Sequence, residues 1–396
     1  MAHTPRTTAA PPTPPSTAGR FAHPFFSSQP PAARTPVNGH RRMTDWSKSQ
    51  LGPVPKTIND GKMSLSDIIG TNGVQEIQSI GELRFHALGD SGVGHADDAE
   101  KVAEYMATDY HPDAGGLNPA FLFHLGDVIY GPSKAEHYGE RFYRPYWHYP
   151  GKIIAIPGNH DGEAKIAADE PSLSAFRANF CANTAAVPTQ ASGSGIFRET
   201  MTQPGVYWLL DAPFARIVGL YSNRLENPGY LEGDGGNDTS QLQWLHDCLT
   251  SIKAMPAKAL VMATHHPPFS SAGHSGSTEM LASIDKICSE VGVFPDLFLS
   301  GHAHNYQLYI RRINGRQIPF IVAGTGGISV QHVPDATGGP VDGSSDTTYE
   351  SALSALGCLF VTISARQIKT EFWPLDQQQA YDSWVVDLAT HTASRG

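Results

Sequence analysis

The chain has 396 residues, 40% of them hydrophobic and 17% charged, with a formal net charge of -10. No apolar run approaches the roughly 18 residues that a membrane helix needs, so no membrane partner is expected. The acidic balance argues against nucleic acid as a bulk partner, because backbone affinity relies on many Lys and Arg charges.

In chain order, residues 1–44 come first, with nine prolines, five arginines and no Asp or Glu. Such a segment lacks the large apolar side chains that a core requires. We read residues 1–75 as a Pro-rich extended or disordered arm and 76–396 as one folded domain. The arm could wrap a second copy and so give a homo-oligomer, with plain disorder as the simpler expectation. It has no hydrophobic run behind a basic start, and Arg41-Arg42 precedes no apolar stretch. No signal peptide is therefore expected, and the localisation is cytoplasmic by default.

From residue 80 onward, short apolar runs alternate with helical patterns, which predicts an α/β architecture. Strands are expected at 84–88, 121–125, 152–156, 206–210, 215–220, 259–264, 297–300, 318–323 and 358–363. Helices are expected at 97–106, 240–249 and 282–290, with Ser240 as an N-cap and Gln243 at capping-box spacing. Residues 223–239 and 331–350, rich in Gly, Asp, Asn and Ser, are expected to be loops. The four cysteines are far apart and form no CxxC, so free buried thiols are expected.

Several strands run directly into a turn that carries a ligand-type residue. Leu88-Gly89-Asp90-Ser91-Gly92 follows the first, Leu125-Gly126-Asp127-Val128-Ile129-Tyr130 the second, and Pro157-Gly158-Asn159-His160-Asp161 the third. Thr264-His265-His266-Pro267-Pro268 and Ser300-Gly301-His302-Ala303-His304-Asn305 come later. Glycine lets the backbone turn sharply, and parallel strands of an α/β sheet bring their carboxyl ends to one edge. Carboxylates, imidazoles, an amide oxygen and a phenol are the donors that a pair of hard or borderline cations takes. A shared carboxylate, here Asp127, can bridge two ions about 3.5–4 Å apart.

Singly, each residue has an ordinary explanation as a turn or half-buried side chain. Their ordered repetition does not. The five segments resemble the calcineurin-like metallophosphoesterases, and among them the purple acid phosphatases, through GDxG, GDxxY, GNH followed by Asp, His-x-Pro and GHxH. The resemblance implies a four-layer α/β/β/α sandwich of two mixed sheets, with the metal site at strand carboxyl ends. It implies that residues 76–396 are a catalytic domain with two metal ions.

By the same resemblance, Asp90, Asp127, Tyr130 and His304 hold the first ion, and Asp127, Asn159, His265 and His302 the second. Gly92 stands where most of the superfamily has a histidine, and Tyr130 supplies the missing ligand. A phenolate favours Fe(III), and the other site is expected to take divalent Fe, Zn or Mn. His160 and His274 are the implied catalytic residues, touching the phosphate and protonating the leaving group. The implied activity is hydrolysis of a small phosphate monoester by metal-activated hydroxide; a phosphodiesterase on the same site is the alternative, and a non-catalytic scaffold ranks lower because no ligand position is lost.

Four further features have plainer readings. His266, beside the His-x-Pro histidine, is expected to be structural, and His124 a hydrogen-bonded core histidine. Gly324-Thr325-Gly326-Gly327 lacks the Lys of a P-loop and reads as a strand-ending turn near the site. Arg141, Tyr143, Arg144, Tyr146 and Trp147 could line a pocket or pack a helix.

Overall fold

The computed structural model describes residues 51–92, 97–164, 170–341 and 346–396, so the first 50 residues of the expected arm lie outside it. In chain order the elements are β1 (Lys62–Ser64), α1 (Leu65–Ile80), β2 (Glu82–Leu88), α2 (Asp97–Ala107), β3 (Phe121–His124), β4 (Lys152–Ala155), α3 (Ser174–Phe180) and α4 (Thr189–Ser192). They continue with β5 (Trp208–Asp211), β6 (Ala215–Gly219), α5 (Ser240–Lys253), β7 (Ala259–Ala263), α6 (Thr278–Val291) and β8 (Leu297–Ser300). The chain closes with β9 (Tyr306–Ile313), β10 (Arg316–Ala323), β11 (Thr347–Leu353), β12 (Gly357–Ser364), β13 (Gln367–Pro374), β14 (Asp382–Asp387) and β15 (Thr392–Arg395).

These strands form two mixed sheets. One has the order β1-β5-β6-β7-β8-β10-β9-β11 and the other β15-β14-β13-β12-β2-β3-β4. Strands β2, β3 and β4 are mutually parallel, as are β6, β7 and β8, with β10 parallel to β8. Because successive side chains point to opposite faces, each buried strand contributes to two cores. Phe85, Phe123 and Ile154 of one sheet meet Ile217, Val261, Leu299 and Ile321 of the other in the central layer.

On the outer face of the larger sheet, Leu260 and Met262 pack under Leu245, Leu249, Met280 and Ile284 of α5 and α6. On the outer face of the smaller one, Leu122, Ile153 and Ala155 pack under Val102, Ala103 and Met106 of α2 and a group of tyrosines. The spacing of Ala99, Val102, Ala103 and Met106 gives α2 one apolar stripe, and Asp97, Asp98 and Glu100 complement its N-terminal dipole. The result is the four-layer α/β/β/α sandwich that the resemblance implies.

The folded body starts earlier than residue 76. β1 pairs in parallel with β5, and Leu65, Ile68, Ile69 and Ile77 of α1 are buried, so residues 51–75 are not an extended arm. The polar spacing of α1 hides its apolar face, which packs into the core that both sheets share. Ser240 is the first helical residue rather than the cap: its N–H donates to Asp238 Oδ1 (2.9 Å), and Gln243 donates to Asp247 Oδ1 (3.0 Å) instead of closing a capping box. α6 begins at Thr278, four residues before the expected start, and β11 begins at Thr347 inside the expected 331–350 loop. β1, β9, β11, β13, β14 and β15 escaped the sequence reading altogether, as did α1, α3 and α4.

Candidate metal centre

Five parallel strands deliver the site. β2 leads to Asp90, β3 to Asp127, β4 to Asn159, β7 to His265 and β8 to His302, all at strand carboxyl ends. Asp90, Asp127 and His302 have φ of 64°, 52° and 70°, a left-handed conformation that non-glycine residues adopt at a cost. Two glycines are obligatory here: a Cβ on Gly158 would lie 2.1 Å from Asp127 Oδ1, and one on Gly126 (φ 103°) would lie 2.6 Å from His265 Nδ1. The turns are also stitched together. Asp90 N–H donates to Gly126 O (3.0 Å), His302 N–H to Asp90 Oδ2 (2.7 Å) and His160 N–H to Asp127 Oδ1 (2.9 Å).

The side chains gather in two adjoining groups. In one, His265 Nε2 lies 3.1 Å from Asn159 Oδ1, 3.4 Å from Asp127 Oδ2 and 3.2 Å from His302 Nδ1. In the other, Tyr130 Oη donates to Asp90 Oδ1 (2.9 Å) and lies 3.3 Å from His304 Nε2, which is 3.7 Å from Asp90 Oδ1. All seven residues that the resemblance implies as ligands are thus brought together, and Asp127, His265 and His302 meet the spacing of a metal cluster.

The chemistry of this donor set fits cations. His265 Nδ1–H donates to the Leu125 carbonyl (2.9 Å), which leaves Nε2 with a lone pair facing an amide oxygen, a carboxylate oxygen and another imidazole nitrogen. Four lone pairs share a place that a positive charge must occupy. Without a cation that charge is a proton: burial pushes His265 down, but the Asp127 charge and hydrogen bond outweigh it and raise it to about 9.

Other groups report the same demand. Burial, reinforced by Asp127, pushes Asp90 up to about 7 against the pull of His265. Burial alone would raise Asp127 too, yet the His265 and His160 charges hold its carboxyl below the usual carboxylate range. Burial and the charges of Asp90 and Asp127 hold Tyr130 well above its ordinary 10. A metal ion inverts each of these penalties, because it is the largest charge in its site. Burial also keeps His304, at about 3, and His302 neutral, the form that ligates.

His160 and His274 sit beside these groups. The His160 ring lies 4.6 Å from that of Tyr130, tilted by 43°, and its Nδ1 lies 2.9 Å from Glu163 Oε2; His160 and Glu163 are both buried. His274, half-buried, has its ring 4.0 Å from His302 and 5.6 Å from His304. Asn227 joins this edge, with Oδ1 3.3 Å from His302 Nε2 and Nδ2 3.1 Å from His274 Nδ1. Sequence reading missed both Glu163 and Asn227. The His160–Glu163 spacing of three was a usable signal; Asn227 had none, being one polar residue among many in its loop.

The remaining residues take structural places. His266 spends both ring nitrogens on Ser222 Oγ (2.7 Å) and Leu225 O (2.8 Å), and His124 binds Ser91 Oγ (2.8 Å). The Gly324–Gly327 turn backs the site, where Gly326 N–H donates to Gly89 O (2.9 Å). Tyr143 and Tyr146 are buried in the tyrosine cluster, Arg141 donates to the Tyr130 carbonyl, and Arg144 and Trp147 contact Glu100. Of these five, Arg141 alone contacts a residue of the site, and the others pack away from it. All four cysteines are free.

The sequence profile of the calcineurin-like phosphoesterases matches residues 83–306, more than half of the chain and every ligand position. No curated protein matches the sequence closely enough to be counted a relative. Among solved structures, the chain resembles GAP50, "the anchor in the inner membrane complex of Plasmodium", with a TM-score of 0.53 and 15% identity over 76% of this chain and 87% of that one. It also resembles the purple acid phosphatase PPD1 from yellow lupin seeds, with a TM-score of 0.53 and 14% identity over 77% of this chain and 54% of the lupin enzyme. At such identities the likeness shows the fold, while the profile match shows the family. The chain belongs to the calcineurin-like phosphoesterases and is a metal-dependent phosphoesterase.

Proposed function

We propose that this chain hydrolyses phosphate monoesters with two cations held by seven side chains. Asp90, Asp127, Tyr130 and His304 would hold one, Asp127, Asn159, His265 and His302 the other, with Asp127 shared. The hard phenol of Tyr130 favours Fe(III), and the neutral amide and imidazoles beside Asp127 favour divalent Fe, Zn or Mn. When bound, such ions lower the pKa of a water to make it a nucleophile and neutralise charge on the phosphoryl oxygens.

The chain's own groups supply the rest. Glu163 accepts from His160 Nδ1–H and fixes the ring, and the Asp127 and Glu163 charges outweigh burial to raise the His160 pKa. An imidazolium here retains a second N–H, which can pass to a departing alkoxide. His274, whose ring lies beside those of His302 and His304, would bind a phosphoryl oxygen or hydrogen-bond the leaving group.

One observation carries the reading: lone pairs of Asn159, Asp127 and His302 converge on His265 Nε2 while Tyr130, Asp90 and His304 converge beside them. The test is metal analysis with a visible absorption spectrum of the purified protein, alongside rates on p-nitrophenyl phosphate and its bis ester. Two metal equivalents, a tyrosinate-to-iron band and faster monoester hydrolysis are expected. Faster diester hydrolysis would convert the reading to a phosphodiesterase, and a metal-saturated sample inert on both esters would end it.

A further inference from the structure

Asn227 lies on a loop anchored on both sides of it. The Leu225 carbonyl accepts from His266 Nε2–H (2.8 Å), and Gly229 N–H donates to Ser277 Oγ (2.9 Å). Between these ties its amide reaches two neighbouring imidazoles, His302 and His274, whose ring centroids are 4.0 Å apart and whose planes are tilted by 33°. Asn227 Oδ1 is 3.3 Å from His302 Nε2, and Asn227 Nδ2 is 3.1 Å from His274 Nδ1. In the amide orientation the structure places here, Ser275 Oγ–H also donates to Asn227 Oδ1 (3.3 Å).

An amide oxygen only accepts and an amide nitrogen only donates, and a neutral imidazole carries one N–H. His302 must therefore carry its hydrogen on Nε2, which leaves Nδ1 bare, and Nδ1 is the atom 3.2 Å from His265 Nε2 inside the ligand cluster. His274 must accept at Nδ1 and so carries its hydrogen on Nε2, at the other edge of the ring. One side chain thereby sets opposite duties: a metal-accepting nitrogen on His302 and a proton-bearing nitrogen on His274.

We infer that Asn227 is a positioning residue that fixes both tautomers, coupling cation binding at His302 to the Nε2–H hydrogen bond that His274 offers the substrate. This deepens the proposed phosphoesterase reading and rests on it. Outer partners of metal-bound histidines commonly govern affinity by about 10- to 100-fold, so the same loss is expected here.

The direct test is nitrogen-15 NMR of histidine-labelled, zinc-loaded wild type, with His302 and His274 both expected as Nε2–H tautomers. Asn227→Ala should weaken zinc binding by about 10- to 100-fold in chelator competition. Asn227→Asp, whose carboxylate still accepts from His302, should restore it. Asn227→Ala should also slow alkyl phosphates more than p-nitrophenyl phosphate, and adding His274→Ala should leave that ratio unchanged.

A wild type that takes up zinc and hydrolyses esters, yet shows an Nδ1–H tautomer on either histidine, overturns the Asn227 assignment alone. So does an Asn227→Ala protein with unaltered zinc affinity. A wild type that takes up no zinc overturns the functional reading as well.

Discussion

Two clusters in this molecule are built from the same three side chains and behave oppositely. On the outer face of the smaller sheet, His86 Nε2 lies 2.9 Å from Asp109 Oδ2, its Nδ1 lies 3.1 Å from Tyr149 Oη, and Tyr149 Oη lies 2.8 Å from Tyr110 Oη. Each hydrogen there has one acceptor, and the Asp109 side chain is 44% exposed, so water helps to carry its charge. At the sheet edges, His304, Asp90 and Tyr130 meet beside Asp127, His265 and His302, and both carboxylates are fully buried. Acceptors outnumber hydrogens in the second cluster. A His–Asp–Tyr group is therefore structural where its hydrogens and lone pairs balance, and a cation site where they do not.

The strongest way to break this comparison is Asp127→Ala. It should remove bound metal and cut the rate by about 10³-fold or more, on the order of 4 kcal/mol in the barrier. Unchanged metal content in that variant would refute the shared-ligand role.

Metal removal should act next, and with a defined pH dependence. In the metal-free protein, His265 is raised from 6.5 to about 9, so its stabilisation is present below pH 6.5 and lost as pH rises through 9. Asp90 is raised from 3.8 to about 7, so the folded state favours its neutral form and loses stability as pH rises through 7. Both slopes have the same sign, but below pH 6.5 the lowered pKa values of His302 and His304 oppose them. The Tm of chelator-treated protein should therefore fall between about pH 6.5 and 9, while zinc-loaded protein gains with pH because ligand protons are released on binding. A gap between the two Tm curves that closes with rising pH would contradict the argument.

A sharper, smaller effect is expected for His274→Ala. Metal content should stay at the wild-type value, with about a 10²-fold loss on alkyl phosphates and little on p-nitrophenyl phosphate, as for a lost hydrogen bond to the leaving-group oxygen. Equal losses on both substrates would instead assign His274 to binding. Smallest of all is Tyr149→Phe in the balanced cluster, which should cost about 1 kcal/mol of stability and leave metal content and rate untouched. Any loss of metal there would show that the two clusters are not independent.

Legibility followed the range of the physics involved. The five ligand turns could be read because a glycine, a strand and a donor residue are neighbours in the chain, and their recurrence is itself the signal. The long buried runs of β2, β3, β7 and β8 were visible for a similar reason. The antiparallel strands β13 and β14 alternate buried with partly exposed residues and carry Lys, Glu and Asp, and β15 buries no residue, so all three gain their identity from the strands beside them. α1 was lost to its polar spacing and to the Pro-rich segment before it.

By itself, the sequence determined the donor types, their order and the α/β alternation, because backbone turns and apolar burial are local preferences. Only the tertiary structure decided that Asp127 faces His265, that Glu163 holds His160, and that Asn227 joins His302 to His274. Those pairings depend on strand register, loop anchoring and the balance of hydrogens against lone pairs in a buried space, and none of these is a property of residues taken along the chain.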